Sequence, residues 1–255
     1  MPEGDTIAYA AHRLRPILVG VAPEFDARHG STRTWNDRLR GRVIERIDTY
    51  GKHLFIRFEG DEYAIHSHLR MTGAWHSGPI GKPWGRAPRR AWLVMRARGQ
   101  EVVQFDGPLL ELLTDLRVRI DHRLVRLGPD ILATDDFHEA DFLRRLREDD
   151  PTRPFGDALL DQSIVAGLGN IWRAEACFDA RISPWRPTAK VTDDEAVLAM
   201  QLVRPRMQDS GRGGMQMRTR HIYKVPRCTR CGGPVSSRGM GDDNRTAYWC
   251  PRCQR

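Results

Sequence analysis

The sequence predicts an α+β chain. A run of short antiparallel strands comes first, a helical region follows, and a metal-binding ribbon lies at the C-terminal end. Three observations carry this. Between residues 42 and 106, apolar residues alternate or run in short stretches split by Gly, Asp and Pro, which is the pattern of an antiparallel sandwich or barrel. Beyond about residue 108 the apolar spacing changes to that of a helix. The last 28 residues hold two Cys-x-x-Cys pairs, Cys228/Cys231 and Cys250/Cys253, separated by eighteen residues, a spacing that supplies four thiolates to one tetrahedral zinc.

Taken in order, Asp5 is placed to cap a helix from Thr6 to about Val19. Ile7, Ala10, Ala11, Leu14 and Leu18 share one face of it, Pro16 interrupts the pattern and Gly20 ends it. Strands are expected over 43–49, His53–Phe58, Tyr63–His68, Trp92–Ala97 and Glu101–Phe105, with 76–90 as a mobile loop rich in Gly, Pro and Arg. Leu109, Leu112, Leu113 and Leu116 form a helical stripe. A break at Gly128-Pro129-Asp130 and a new start near Asp135-Asp136 put the domain boundary between 122 and 135. Phe142, Leu143 and Leu146, then Leu159, Leu160, Ile164 and Val165, continue the helical pattern. Thr192 and Glu195 make a capping box for a helix ending between Pro205 and Ser210. The resulting division is 1–122, 135–210 and 211–255, with 211–220 a flexible basic loop of the kind that orders on a ligand.

The 255 residues suffice for one large domain or two ordinary ones. No apolar run reaches the length of a membrane span and no secretory segment follows Met1, so a cytoplasmic protein is expected. The net charge of +8 is unevenly spread: ten basic residues against two acidic ones fall in 212–255, leaving 31 of each sign in the remainder. Four zinc-bound thiolates would still leave that segment at +6. A basic segment carrying cysteines and aromatics points to a polyanion, nucleic acid above all. Cytosolic disulfides are rare, so the four clustered cysteines read as a structural metal site, and Cys177 as a buried core thiol.

Two further stretches bear on chemistry. Methionine ahead of a small residue is normally removed, so Pro2 would carry a secondary amine with a reference pKa near ~8, usable as a nucleophile. Its iminium is a fixed cation and an electron sink, and the adjacent Glu3 could move protons. Many chains begin Met-Pro with no such consequence. Asp161 to Trp172 reads as apolar helix, then Gly167-Leu168-Gly169-Asn170, then a second helix. Free backbone N–H groups at that helix start, with Asn170, suit a phosphate; an ordinary helix–turn–helix packing unit is the alternative.

Four separated stretches, in order, resemble the bacterial formamidopyrimidine-DNA glycosylase/endonuclease VIII family: Pro2-Glu3-Gly4, Gly51-Lys52, Gln162 through Asn170, and the ribbon running from Arg245 through Tyr248-Trp249-Cys250-Pro251-Arg252-Cys253-Gln254. The resemblance spans the whole length. It implies an N-terminal antiparallel β-sandwich with flanking helices, a helix–two-turn–helix domain and a ribbon holding one structural zinc ion. It also implies a monomer that binds damaged DNA between its halves, flips a nucleotide out, and resides in the bacterial cytoplasm at the nucleoid.

By that resemblance Pro2 attacks the anomeric carbon and expels the damaged base, and Glu3 manages the protons that open the sugar. Lys52 serves β-elimination and contacts phosphate, and Arg245 binds the phosphate beside the lesion and assists δ-elimination. His68 to Gly73 aligns with the intercalation loop, in which Met71 is an apolar wedge and Arg70 meets the orphaned base or a phosphate. Arg126, Asn170 and Lys224 are further DNA contacts; Arg126 serves equally well as an interdomain ion-pair partner. Gly4-Asp5 and Tyr248-Trp249-Cys250-Pro251 lean to the endonuclease VIII branch and oxidised pyrimidines. Arg70-Met71-Thr72 departs from that branch's usual Gln-Leu-Tyr, and Met71 is reminiscent of the oxidised-purine branch. The alternatives are an oxidised-purine enzyme of the same fold and a non-catalytic zinc-ribbon DNA-binding protein.

Overall fold

The structure, a computed structural model, describes residues 2–30, 32–60 and 62–255. It divides into two compact units, one of residues 6–125 with Pro2, the other of residues 3–5 and 126–255.

The first unit is a β-sandwich closed by a helix. Helix α1 (Gly4–Leu18) begins earlier than its sequence suggests and carries Pro16 within it. Strands β1 (Glu24–Ala27), the short helix α2 (Trp35–Leu39), β2 (Ile44–Tyr50), β3 (His53–Phe58), β4 (Tyr63–His68), β5 (Ala74–Pro79), β6 (Ala91–Ala97), β7 (Gln100–Phe105) and β8 (Leu109–Thr114) follow. They form two antiparallel sheets, in the orders β1-β6-β7-β5 and β2-β3-β4-β8. Ile7, Leu14 and Leu18 of α1 share one core with Ile56, Phe58 and Ile65 of one sheet and Leu93 and Val102 of the other. The apolar alternation along the strands becomes this common interior.

Three expectations change here. Of the leucine stripe after residue 108, Leu109, Leu112 and Leu113 lie in strand β8 and only Leu116 in a helix: Leu109 to Thr114 pair in register with His68 to Tyr63. The open edge of β4 needs hydrogen-bond partners, and that demand overrides a helical spacing. Helix α3 (Asp115–Ile120) starts only where the Thr114 side chain accepts from Arg117 N at 3.4 Å, and α4 (His122–Val125) follows. The connection before β6 is tethered: Trp84 Nε1 donates to Glu101 at 2.9 Å, and Arg86 and Arg90 both pair with Asp106. Its first residues belong to β5.

The second unit holds α5 (Glu139–Glu148), α6 (Phe155–Ala158), α7 (Asn170–Asp179) and α8 (Asp193–Gly213), then the hairpin β9 (Ser236–Met240) and β10 (Arg245–Trp249). Phe142, Phe155, Leu168, Trp172, Met200 and Val203 lie in its core. Residues 159–169, expected to be largely helical, are turns whose Ile164, Val165 and Leu168 still reach the interior. Thr192 and Glu195 make the expected capping box, and α8 runs past Pro205 to Gly213. Cys177 is fully buried, and burial pushes its thiol up to about 12. Among the described residues no helix is long and apolar enough to cross a membrane.

The β3–β4 hairpin buries two histidines, His53 and His66, beside the half-buried His68. His53 faces His68 across the register, and His53 Nδ1 meets His66 Nε2 at 2.8 Å. His66 Nδ1 lies 3.6 Å from Glu111, which Arg123 holds at 2.8 Å. Burial pushes His53 down to about 3 and His66 to about 4. An unfolded histidine titrates near ~6.5, so the unfolded chain takes protons first on acidification. Stability conferred by neutral rings is therefore complete above about pH 7 and drains as pH falls from about 6.5 towards 4. The urea midpoint is expected to drop between about pH 7 and 5, and His66→Gln to lessen that slope. An unchanged midpoint across the interval would contradict this account of the hairpin.

Candidate active site

In the first unit, Pro2 lines a cavity of about 130 Å³ together with Thr6, Tyr9, Leu69, Trp75 and His76. Met1, whose removal would expose the Pro2 amine, lies outside the described residues. Gly51 and Lys52 form the two-residue turn between β2 and β3, where Tyr50 pairs with His53. Gly51 takes the left-handed φ of +56° that such a turn requires. Lys52 is half-buried and near enough to His68 to help hold that ring down at about 4, although burial is the larger cause. The chain leaves β4 through Arg70, at a left-handed φ of +43°, whose N–H donates to His68 Nδ1 at 3.2 Å. Met71 follows at 66% exposure. It is a large apolar side chain held out at a turn. Gly73 closes the turn: a Cβ there would meet the Leu69 carbonyl oxygen at 2.8 Å.

In the second unit, Glu3 is 1% exposed, and its carboxylate accepts from Ile171 N at 2.9 Å and Trp172 N at 3.2 Å. The N–H groups at the start of α7, which from sequence suit a phosphate, are thus bonded to a carboxylate of this chain. A helix N-terminus favours any anion, and a partner 168 residues away leaves no local signature. Asn170 Nδ2 donates to the Thr246 carbonyl at 3.0 Å, and Arg173, fully buried, reaches the same carbonyl at 3.2 Å. Asn170 is thereby fixed beside Arg245, the first residue of β10, whose guanidinium lies 3.5 Å from Asp243.

Lys224 is exposed, with a φ of +55° and its ammonium 5.7 Å from the Tyr223 ring centroid. The turn before it is held by buried Glu175, which accepts from the backbone N–H groups of His221, Ile222 and Tyr223. Arg126 is exposed at the start of the unit. The sulfurs of Cys228, Cys231, Cys250 and Cys253 lie within 4.8 Å of one another, so these four could hold a metal ion. Cys228 and Cys250 pack with Ala174 and Phe178 of α7, and Gln254 ties the last knuckle to the Ile182 carbonyl at 3.0 Å.

Sequence reasoning did not find Glu175, the buried Arg173 or the histidine cluster. Of these only the histidines left a trace, their spacing across a hairpin whose register the turn fixes. The 211–220 segment also differs from expectation. A single 3₁₀ turn (Met215–Met217) follows α8, and Arg218 is buried in an ion pair with Asp5. Asp5 is therefore not the helix cap.

Gly169 bears directly on the seating of Glu3. A Cβ there would come within 2.3 Å of Glu3 Cδ, the end of a side chain that two backbone N–H groups hold in place. Gly169→Ala is expected to cost about 1–3 kcal/mol in a urea melt and to displace Glu3 from α7. A variant as stable as the parent would contradict the placement of Glu3.

Comparison with known proteins identifies the family. The model of the formamidopyrimidine-DNA glycosylase N-terminal domain matches residues 1–108, and that of the formamidopyrimidine-DNA glycosylase H2TH domain matches 127–220. A probable endonuclease 8 2 of Streptomyces coelicolor is 36% identical, over 100% of this chain and 94% of its own. The DNA-(apurinic or apyrimidinic site) lyase Nei2 of Mycolicibacterium smegmatis is 34% identical, over 100% and 99%. The formamidopyrimidine-DNA glycosylase of Thermus thermophilus is 33% identical, over 100% and 98%. Among solved structures, the Lactococcus lactis Fpg (MutM) in complex with N7-benzyl-Fapy-dG DNA superposes with a TM-score of 0.83 at 25% identity, covering all of both chains. Matched along its full length at this identity, the chain belongs to the formamidopyrimidine-DNA glycosylase/endonuclease VIII family.

Proposed function

We propose that this protein is a bifunctional DNA glycosylase and AP lyase of base excision repair, with Pro2 as its nucleophile. The observation that carries the reading is the seating of Glu3. A carboxylate next to the candidate amine is oriented through both oxygens by the start of α7, and a Cβ at Gly169 would forbid it. Such over-determination is what a proton-handling group requires.

The chemistry follows from the groups. The Pro2 nitrogen attacks C1′ of the damaged nucleotide. The glycosidic bond breaks, and its electron pair leaves with the base. Glu3 is the proposed group that accepts and returns the ring-opening proton. The resulting iminium acidifies C2′–H. Loss of that proton expels the 3′ phosphate, and a second elimination releases the 5′ phosphate to leave a one-nucleotide gap. Lys52, on a fixed turn between two strands, is the proposed base for the first elimination. Arg245 is the proposed phosphate ligand, suited by its planar fork. Met71 and Arg70 fill and read the space left by the extruded nucleotide. Arg126, Asn170 and Lys224 hold backbone phosphates, Asn170 through the second N–H of its amide, whose oxygen accepts from Arg173.

The proposed metal is one structural zinc ion on the four cysteines. The Sγ–Sγ separations of 3.6 and 3.9 Å bracket the edge of about 3.8 Å expected for a tetrahedron with Zn–S near ~2.3 Å. When bound, zinc would supply folding energy to residues 211–255 and no chemistry.

Oxidised pyrimidines are the proposed preferred lesions. Gly4-Asp5 and Tyr248-Trp249-Cys250-Pro251, which lean to the endonuclease VIII branch, support this, while Arg70-Met71-Thr72 keeps the oxidised-purine reading as second. The enzyme would act as a monomer in the bacterial cytoplasm, at the nucleoid. Processed protein is expected to crosslink to abasic DNA under borohydride and to oxidised-pyrimidine duplexes faster than to 8-oxoguanine ones. A reversed order would install the purine reading, and binding without crosslinking would leave a non-catalytic DNA-binding protein. Chelation of zinc is expected to abolish DNA retention and lower the melting temperature of the second unit, both reversed by zinc. Indifference to a strong chelator would contradict a structural ion.

A further inference from the structure

Residues 3–5 are held by three separate attachments within the second unit. Glu3 sits on α7. Gly4 N donates to the Gly167 carbonyl at 2.8 Å. Asp5 accepts from Arg218 Nε at 2.9 Å and Nη2 at 2.5 Å, and from Ser210 Oγ at 2.5 Å. The Asp5–Arg218 pair is buried, with side-chain exposures of 1% and 4%. Arg218 also stands 5.8 Å from the ring of Trp172, whose backbone N–H holds Glu3. One guanidinium thus adjoins the anchors of two of the three residues after Pro2.

We infer that Arg218 is a positioning residue for the Pro2 amine: it cancels the charge of Asp5 and couples the order of residues 214–220 to the seating of the N-terminal stretch. The inference rests on the reading of Pro2 as nucleophile. Attack requires an unprotonated amine, and a carboxylate three residues along the chain favours the ammonium form. Two carboxylates, Glu3 and Asp5, lie within three residues of Pro2. The start of α7 offsets the first, and Arg218 offsets the second. Other charged groups among the described residues stand nearby. Arg13 and His76 line the Pro2 cavity. Arg206, over the same Trp172 ring, is paired with Glu175 and Asp179. Arg173 is bonded to the Gly156 and Thr246 carbonyls. A bidentate guanidinium grips both carboxylate oxygens, where a lysine would supply the charge without that geometry.

The test is single-turnover trapping of processed protein on abasic DNA with cyanoborohydride, followed against pH, for the wild type, Arg218→Met, Arg218→Lys and the double variant Asp5→Asn/Arg218→Met. Unopposed, Asp5 should raise the midpoint of the Arg218→Met profile by about half a pH unit, slowing trapping about threefold on its acid side. Arg218→Lys should recover most of the shift, and the double variant should return to the wild-type midpoint even if it melts lower. Lower melting with an unmoved Arg218→Met midpoint would assign the pair to stability alone and overturn the inference. If Arg218→Met does not fold, Asp5→Asn serves: an uncompensated Arg218 must shift the midpoint downward, and no shift overturns the inference. A wild type that never traps removes the nucleophile itself, an outcome distinct from trapping that is indifferent to Arg218.

Discussion

The carboxylate of Glu3, held by the first free N–H groups of α7, is the constraint on which the rest depends. It explains the glycine at 169, because a side chain there would occupy the carboxylate's place. It explains why residues 3–5 group with the helical unit while Pro2 groups with the sandwich. It also fixes the residues adjoining the candidate nucleophile. A chain terminus is ordinarily the least ordered part of a domain unless tied down, and a nucleophile cannot be. Here three successive residues are bound, by a helix terminus, a backbone carbonyl and a buried guanidinium.

The second unit is organised to support that attachment. Helix α7 buries Trp172 and Arg173 completely, and Ala174 and Phe178 on its other side pack against the cysteine-bearing ribbon. The ribbon is therefore not an appendage. Asn170 and Arg173 bond to Thr246 of β10, so the element that holds Glu3 also sets the position of the strand that starts with Arg245. A metal ion that orders the ribbon would thereby stabilise the helix that orders the terminus, a long-range coupling carried by one rigid helix.

Much of this was legible in the sequence, and the limits have physical causes. Strands with period-two alternation and flanking turn residues, such as His53–Phe58 and Tyr63–His68, are found where expected, because both alternation and turn are local. The cysteine spacing predicted the four-sulfur cluster for the same reason. Leu109–Thr114 misled because a strand edge, a tertiary demand, outweighed a leucine spacing that fits a helix equally well. The start of α7 read as a phosphate site; its N–H groups hold the Glu3 carboxylate instead, through a contact across 168 positions. Arg218 read as one more basic residue in a flexible loop. Only the fold shows it buried against Asp5, 213 positions away.

The account's central claim is that one nitrogen, that of Pro2, forms the covalent bond to deoxyribose. The most direct measurement is peptide mapping of the reduced protein–DNA adduct by tandem mass spectrometry. The account predicts a single modified peptide, the N-terminal one, with the sugar-derived mass on Pro2. A modification on Lys52 or any other side chain, with the Pro2 nitrogen unmodified, would contradict it.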